Sequence, residues 1–253
     1  MLLHEDKVAL VTGGASGIGR AAAVAFAREG ARVVIADVAV EAGLETAQAI
    51  KAAGGDALFV EVDLLRPEDI RQMVATTVAA FGRLDVAFNN AGHRGGATTV
   101  VDCDLEEWDL VMGLNLRAVW LCMKYEIPEM LKAGGGAIVN TASGMANFAG
   151  PSFASYATSK AGVLGLTRAA AVDFGPLGIR VNALLPGATD TAMLRATMQD
   201  AVPQSSSSMT RIPLRRYSAA EEQAEAAVWL ASERASFITG AQLVSDGGAT
   251  ALR

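Results

Sequence analysis

An apolar run at Lys7–Thr12 carries the chain into Thr12-Gly13-Gly14-Ala15-Ser16-Gly17-Ile18-Gly19, and a stretch of helical periodicity near 17–29 begins inside that glycine loop. A strand that turns through closely spaced glycines straight into a helix is the opening unit of a parallel α/β fold. The rest of the chain repeats the alternation. Strand-like runs at Arg32–Ala36, Ala57–Val62, Leu84–Phe88, Ala137–Asn140, Arg180–Leu184 and Gln242–Val244 are separated by helical stretches near 40–53, 67–81, 105–132, 155–175 and 219–232. The pattern predicts a Rossmann-type, doubly wound, mostly parallel sheet of about seven strands with helices on both faces. No Pro/Gly/Ser linker divides the first 190 residues, so residues 1–253 are read as a single domain. The exception is Met193–Arg216, with Gln204-Ser-Ser-Ser-Ser-Met209 and Arg211-Ile-Pro-Leu-Arg-Arg216. Polar and without periodicity, it reads as a lid over a bound substrate, the alternative being a surface insertion.

Composition narrows the classes. Of the 253 residues 51% are hydrophobic, yet no charge-free apolar run is long enough to span a bilayer, so the hydrophobicity belongs to a buried sheet and to subunit contacts. A formal net charge of -6 disfavours nucleic acid or an anionic membrane as partner. The start, MLLHEDKVALVTGG, has too few cations and too short an apolar core for a secretory signal, and a cytoplasmic location is expected. Cys103 and Cys122 match no metal-ligand spacing; no metal is expected, and both read as reduced bystanders.

The glycine loop has its own chemistry. Glycines there let the backbone turn tightly, approach a pyrophosphate and seat the helix against the sheet, with N-terminal amides aimed at phosphate. The spacing is GxxxGxG rather than GxGxxG. The second strand ends at Asp37, twenty residues beyond Gly17, where a carboxylate can accept both hydroxyls of an adenosine ribose. It also repels a 2′-phosphate, and Val38 offers no cation, so the expected cofactor is NAD(H) rather than NADP(H). A cap for the next helix is a compatible role for Asp37.

Tyr156 and Lys160 stand four apart in YATSK, with Ser143 upstream. Positions i and i+4 share a helix face, which would set the Lys160 ammonium beside the Tyr156 ring and favour the phenolate. Making a phenol that titrates near roughly pH 10 a usable base at neutrality takes about 4 kcal/mol of preferential stabilisation of its anion. One adjacent cation in a partly dry site is an effect of that size.

These residues, with Asn89-Asn90-Ala91-Gly92, Asn115, Pro186-Gly187 ahead of Thr191, Ile238-Thr239-Gly240 and Asp246-Gly247-Gly248, resemble the short-chain dehydrogenase/reductase family from Lys7 to Gly248. The resemblance implies that Gly13, Ser16, Gly17, Ile18 and Gly19 serve the pyrophosphate and Asp37 the adenosine ribose. Asp63 and Leu64 would flank the adenine, Asn90, Ala91 and Gly92 would back the central strand near the nicotinamide ribose, and Pro186 through Thr191, with Gly187 and Thr189, would hold the carboxamide. Ser143 would bond the reacting oxygen, Tyr156 would be the acid/base, Lys160 would bind the nicotinamide ribose and bias Tyr156, and Asn115 would anchor a water in the proton relay. Taken singly, Asn115 reads as a locally bonded helix-interior polar residue, Ser143, Asn89 and Asn90 as turn residues, and Asp63 as a cap.

Around the substrate, the expected wall is His93, Arg94, Gly95 and Gly96, then Ser143, Gly144, Met145, Phe148, Phe153, Ala188 and the lid. Mostly apolar or small, it fits a medium-sized secondary alcohol or ketone, cyclic ones included, and LCMKY at 121–125 with EQAEAAVWL at 222–230 looks like the branch acting on cyclic diols and alcohols. The expected activity is NAD-dependent interconversion of a secondary alcohol and a ketone. The alternatives are a 3-oxoacyl-carrier-protein reductase, against which Asp37 and the acidic balance count, and a non-catalytic dinucleotide-sensing protein. Weakly charged faces at 105–132 and 155–175, including Ala161–Leu166 and Ala169–Ala171, exceed what covering a sheet needs, and the resemblance implies a homotetramer, with Gly247–Arg253 at a second interface.

Overall fold

The computed structural model describes residues 2–200 and 209–252. Seven strands, β1 (Val8–Thr12), β2 (Arg32–Asp37), β3 (Ala57–Glu61), β4 (Val86–Asn89), β5 (Gly136–Thr141), β6 (Ile179–Pro186) and β7 (Gln242–Ser245), form one sheet in the order β3-β2-β1-β4-β5-β6-β7. Every pairing is parallel. The sheet is therefore all-parallel rather than mostly so, and the chain is a single Rossmann-like domain.

Because side chains alternate across a strand, the buried runs of β1, β2, β4 and β5 feed two cores at once. On one face Leu10, Val34, Ala87 and Ile138 pack with α3 (Pro67–Phe81), α5 (Ala118–Lys132) and α6 (Ala154–Phe174). On the other, Val11, Ile35, Phe88 and Val139 pack with α1 (Gly17–Arg28), α2 (Val40–Ala52) and α8 (Ala220–Ala231). Val11 stands opposite both Ile35 and Phe88, and Phe88 opposite Val139, so one apolar row crosses the sheet. Each such side chain, fully buried, contributes roughly 1.5–3 kcal/mol.

Local sequence sets the helix ends. α3 starts on Pro67 and stops at Gly82, which adopts φ 80. α4 (Leu105–Met112) is capped by Asp104, whose side chain accepts from Glu107 N at 2.8 Å.

Two sequence expectations change here. The stretch 105–132 is not one regular helix: a π-helical turn at Gly113–Arg117 separates α4 from α5. In the expected lid, Ala192–Asp200 is a helix, α7, and Met209–Arg211 a 3-10 turn. Good helix formers in Ala192–Asp200, with Thr191 Oγ1 accepting from Leu194 N at 3.4 Å, explain the helix; the serine run that follows masks its periodicity in a sequence window. Residues 201–208 of the lid lie outside the described residues.

Candidate active site

The strand order reverses between β1 and β4, and a cleft of about 910 Å³ opens at the carboxyl ends of the strands on both sides of that point. This is where open α/β sheets take their ligands. Gly13, Ser16, Gly17 and Ile18 line its floor. Gly19 is buried under them: a Cβ there would stand 2.0 Å from the Gly13 carbonyl oxygen, so only glycine lets α1 seat against the turn. Gly13 has φ 66, and a Cβ on it would meet the Ala91 backbone at 3.0 Å, so glycine is needed both for the turn and for its close packing against the loop after β4.

At one end of the cleft, Asp37 Oδ2 accepts from Ala15 N and Oδ1 from Ala39 N, both at 3.0 Å. The carboxylate thus fastens the glycine loop to the end of β2, lines the cleft, and keeps a further acceptor site on each oxygen. The cap of α2 is Ala39, not Asp37. Asp63 Oδ1 accepts from Leu65 N at 2.9 Å, and Asp63 and Leu64 line the same end. In the middle, Thr12 Oγ1 accepts from Asn90 N at 3.0 Å and Ala91 N at 3.2 Å, and Asn90 Nδ2 donates to Thr12 O at 3.2 Å. Those bonds lock Asn90, Ala91 and Gly92 beside the glycine loop. Asn89 is no turn residue; it ends β4 and is buried.

Ser143, Tyr156 and Lys160 come together on the opposite wall. β5 delivers Ser143 just past Thr141, and the first turns of α6 carry Tyr156 and Lys160. Ser143 Oγ accepts from Met145 N at 3.2 Å and stands beside Tyr156 on the cleft wall. Lys160 Nζ lies 5.9 Å from the Tyr156 ring centroid and donates to Thr141 O at 2.8 Å. Burial pushes the Tyr156 phenol above its ordinary value, although the residue keeps some surface on the cleft, and the neighbouring Ser143 hydroxyl opposes that push. Burial also pulls the Lys160 ammonium down to about 8. The dry wall disfavours the charged form of both groups, and Ser143 favours the Tyr156 phenolate.

Asn115 is brought close to this group but not to the cleft. In the π-helical turn its side chain points out of its own helix: Oδ1 accepts from His93 N at 2.7 Å, and Nδ2 donates to His93 O at 2.8 Å and Ser159 Oγ at 3.1 Å. The local bonding expected of a helix-interior asparagine is absent, and both amide hydrogens are used on the loop after β4 and on α6. The side chain instead ties the loop after β4 to α6. Gly92 makes room for this: a Cβ on it would meet Asn115 Oδ1 at 3.1 Å and Lys160 Nζ at 3.3 Å.

His93 departs from the expected substrate wall. It is exposed and off the cleft wall, its Nδ1 accepting from Gly95 N at 3.0 Å, and Gly95 and Gly96 pack toward Glu107 instead. Arg94, Gly144, Met145, Phe148, Phe153 and Ala188 do line the cleft, with Phe153 edge-on to Tyr156 at 6.2 Å between centroids. Pro186, Gly187, Thr189 and Thr191 line the wall leaving β6. Arg211 and Ile212 of the expected lid do reach the wall, whereas sequence reading missed Leu114 and Asp246 there. Asp246 had a signal in Asp246-Gly247-Gly248: its carboxylate accepts from Gly248 N at 2.9 Å and Thr250 N at 2.8 Å, closing the loop after β7. Leu114 carries none.

The family model described as Enoyl-(Acyl carrier protein) reductase matches residues 13–250. A 2,5-dichloro-2,5-cyclohexadiene-1,4-diol dehydrogenase of Sphingobium indicum is 44% identical over 247 residues, 97% of this chain and 98% of that one. A cyclohexanol dehydrogenase of Acinetobacter sp. is 40% identical over 251 residues, 97% and 95% of the two chains. Among solved structures, that of a levodione reductase superposes with a TM-score of 0.94 at 36% identity, covering 98% of this chain and 99% of its own. Such matches run the length of the fold and the cleft alike, and a nicotinamide dinucleotide is the cofactor that this fold implies, with the glycine loop lining the cleft that would take it. The chain is an oxidoreductase of the short-chain dehydrogenase/reductase family.

Proposed function

We propose that the protein is a cytoplasmic NAD(H)-dependent dehydrogenase that interconverts a medium-sized, largely apolar, cyclic secondary alcohol and its ketone. The observation that carries this reading is the meeting of Ser143, Tyr156 and Lys160 on one wall of the cleft, with Lys160 buried behind Tyr156 and Met145, Phe148 and Phe153 around them. Asp37 supports the cofactor preference, because its carboxylate faces the ribose end and Val38 beside it is 68% exposed and uncharged. The names of the relatives support a cyclic substrate. No described helix is long and apolar enough to cross a membrane.

When bound, the nicotinamide ring gives or takes the hydride at the substrate carbon. The chain handles the oxygen. Ser143 and Tyr156 both donate toward it, stabilising charge that develops there. Because burial keeps Tyr156 protonated, the resting site is ready to donate to a ketone; in alcohol oxidation Tyr156 must first lose its proton, and that direction gains rate as pH rises from neutrality. Lys160 has spent one of its three donors on Thr141 O, leaving two for ribose hydroxyls. Asp37, Asp63 and the glycine loop bind the other half of the cofactor, and Asn115 holds the loop after β4. Purified protein assayed with NAD and NADP against cyclic, aromatic and linear secondary alcohols tests the reading, and the panel includes a carboxylated cyclohexanol because Arg94 and Arg211 line the cleft. Turnover of cyclic alcohols with NAD is expected; no reduced cofactor from any of them would overturn it.

Lys160→Met is expected to weaken cofactor binding as well as turnover. Since the wild-type ammonium titrates near 8 and the charged form is the one that cofactor would favour, wild-type affinity falls as pH rises through about 8, and the variant's stays flat. Isothermal titration at several pH values reads both; an unchanged dissociation constant would show the ribose contact to be wrong.

The same reading includes a homotetramer. Leu105 and Trp120 on α4 and α5, and Val172 on α6, are exposed, while Val163, Leu164, Ala170 and Ala171, expected on that face, are buried in the chain's own core. Phe237, Val244 and Leu252 form a second apolar area by β7. Light scattering on dilute protein should give about four times the monomer mass, and a stable, active monomer would refute it.

A further inference from the structure

Behind the cleft four polar side chains cross the sheet in a line. Asn89 Nδ2 donates to Glu126 Oε2 and to Asn140 Oδ1, each at 3.1 Å, and Asn140 Nδ2 donates to Thr167 Oγ1 at 3.1 Å. The line runs from α5 through β4 and β5 to α6, and all four residues are buried. Nothing in the proposed chemistry uses Glu126, and a carboxylate without a cation is among the costliest groups to place in such surroundings.

Two atoms of this line lack a partner: Glu126 Oε1 and Asn89 Oδ1. They belong to the same bonded pair. Both are acceptors only while Glu126 is ionised, and a single proton on Oε1 satisfies both. We propose that Glu126 is a neutral carboxylic acid, its Oε1–H donating to Asn89 Oδ1 while Asn89 Nδ2 donates back to Oε2, and that this reciprocal pair positions the ends of β4 and β5.

The surroundings agree. From β4 and β5 the facing groups are the Asn89 and Asn140 amides. α6 presents Thr167, while its Lys160 is committed to Thr141 O. α3 turns Ile70, Met73 and Val74 into this core and keeps Glu68 and Arg71 paired at the surface. The titratable neighbour is Cys122, one turn earlier on α5, whose thiol is pushed up first by burial and then by Glu126. Burial moves Glu126 itself up to about 8.

The line has leverage on the site. Asn89 precedes Asn90, which is bonded to Thr12, and Asn140 precedes Thr141, whose carbonyl holds Lys160. Glu126 is thus a positioning residue, and its effect on activity rests on the dehydrogenase reading above, whereas its protonation does not.

Infrared difference spectroscopy of wild type against Glu126→Gln should show, at about pH 6, the carbonyl band of one protonated, hydrogen-bonded carboxylic acid that fades as pH passes about 8. Gln offers an N–H where the acid offers O–H, so Glu126→Gln should keep kcat and cofactor KM within about twofold, while Glu126→Leu, which strands the Asn89 amide, should raise cofactor KM about tenfold. A folded-state value above the ordinary 4.5 means that the folded chain holds a proton the unfolded chain releases, so wild type loses stability from about pH 4.5 up to about 8. The melting temperature of Glu126→Gln should accordingly rise relative to wild type over that window. Absence of the acid band at about pH 6, or a Gln variant as impaired as the Leu variant, would overturn the proposal. The band and the melting profiles need no substrate, so they read out even if no alcohol is turned over.

Discussion

Tyr156→Phe is expected to lower kcat by about 10²- to 10⁴-fold, the range supplied by a positioned acid/base, with the dissociation constant for reduced cofactor within about twofold of wild type. That corresponds to roughly 2.7–5.5 kcal/mol of lost transition-state stabilisation. The substitution deletes one hydroxyl and leaves the ring, with its edge-on contact to Phe153 and its place over Lys160. Ser143 keeps its bond from Met145 N and its place on the wall, so a residual rate from one donor remains. Steady-state rates combined with fluorescence titration of reduced cofactor separate the two effects. A variant with more than about a tenth of wild-type kcat would reject the acid/base role.

The second large effect is on cofactor choice. Wild type is expected to favour NAD(H), and the pair Asp37→Ser with Val38→Arg to shift the ratio of kcat/KM values toward NADP(H) by about 10²- to 10³-fold, from removed anion repulsion and an added partner for the 2′-phosphate. The change has a structural cost. Asp37 also accepts from Ala15 N and Ala39 N, and a serine oxygen can replace one of those bonds but not both. Absolute efficiency with either cofactor should therefore fall even as preference reverses. If wild type already uses NADPH better than NADH, the electrostatic argument fails without any variant.

What could be read from the sequence was whatever depends on near neighbours in the chain. The strands and the glycine loop follow from period and from glycine spacing, and YATSK places Tyr156 and Lys160 on one helix face because four residues make about one turn. Contacts between distant segments were not legible. The π-helical turn at Gly113–Arg117 has no periodicity signature, and it is what turns Asn115 toward His93 and Ser159. Likewise, Lys160 beside Tyr156 suggested a favoured phenolate, but how dry the wall is depends on β5 and α6 packing together. His93 and Arg94 are adjacent in sequence, and only the fold of the loop decides which of them reaches the cleft.

The strand order also governs how the molecule comes into being. β1 lies inside the sheet between β2 and β4, and all six pairings are parallel, so no hairpin closes and every pairing waits on a crossover. Chains dominated by such non-local pairings fold slowly, because loop-closure entropy is lost before contacts repay it. The cleft draws on both the glycine loop that follows β1 and Asp246, which follows β7, so it is complete only once the last strand has docked. A dinucleotide seated there binds the finished fold and none of its precursors, and at about 100 times its dissociation constant it would add roughly 2.7 kcal/mol against unfolding.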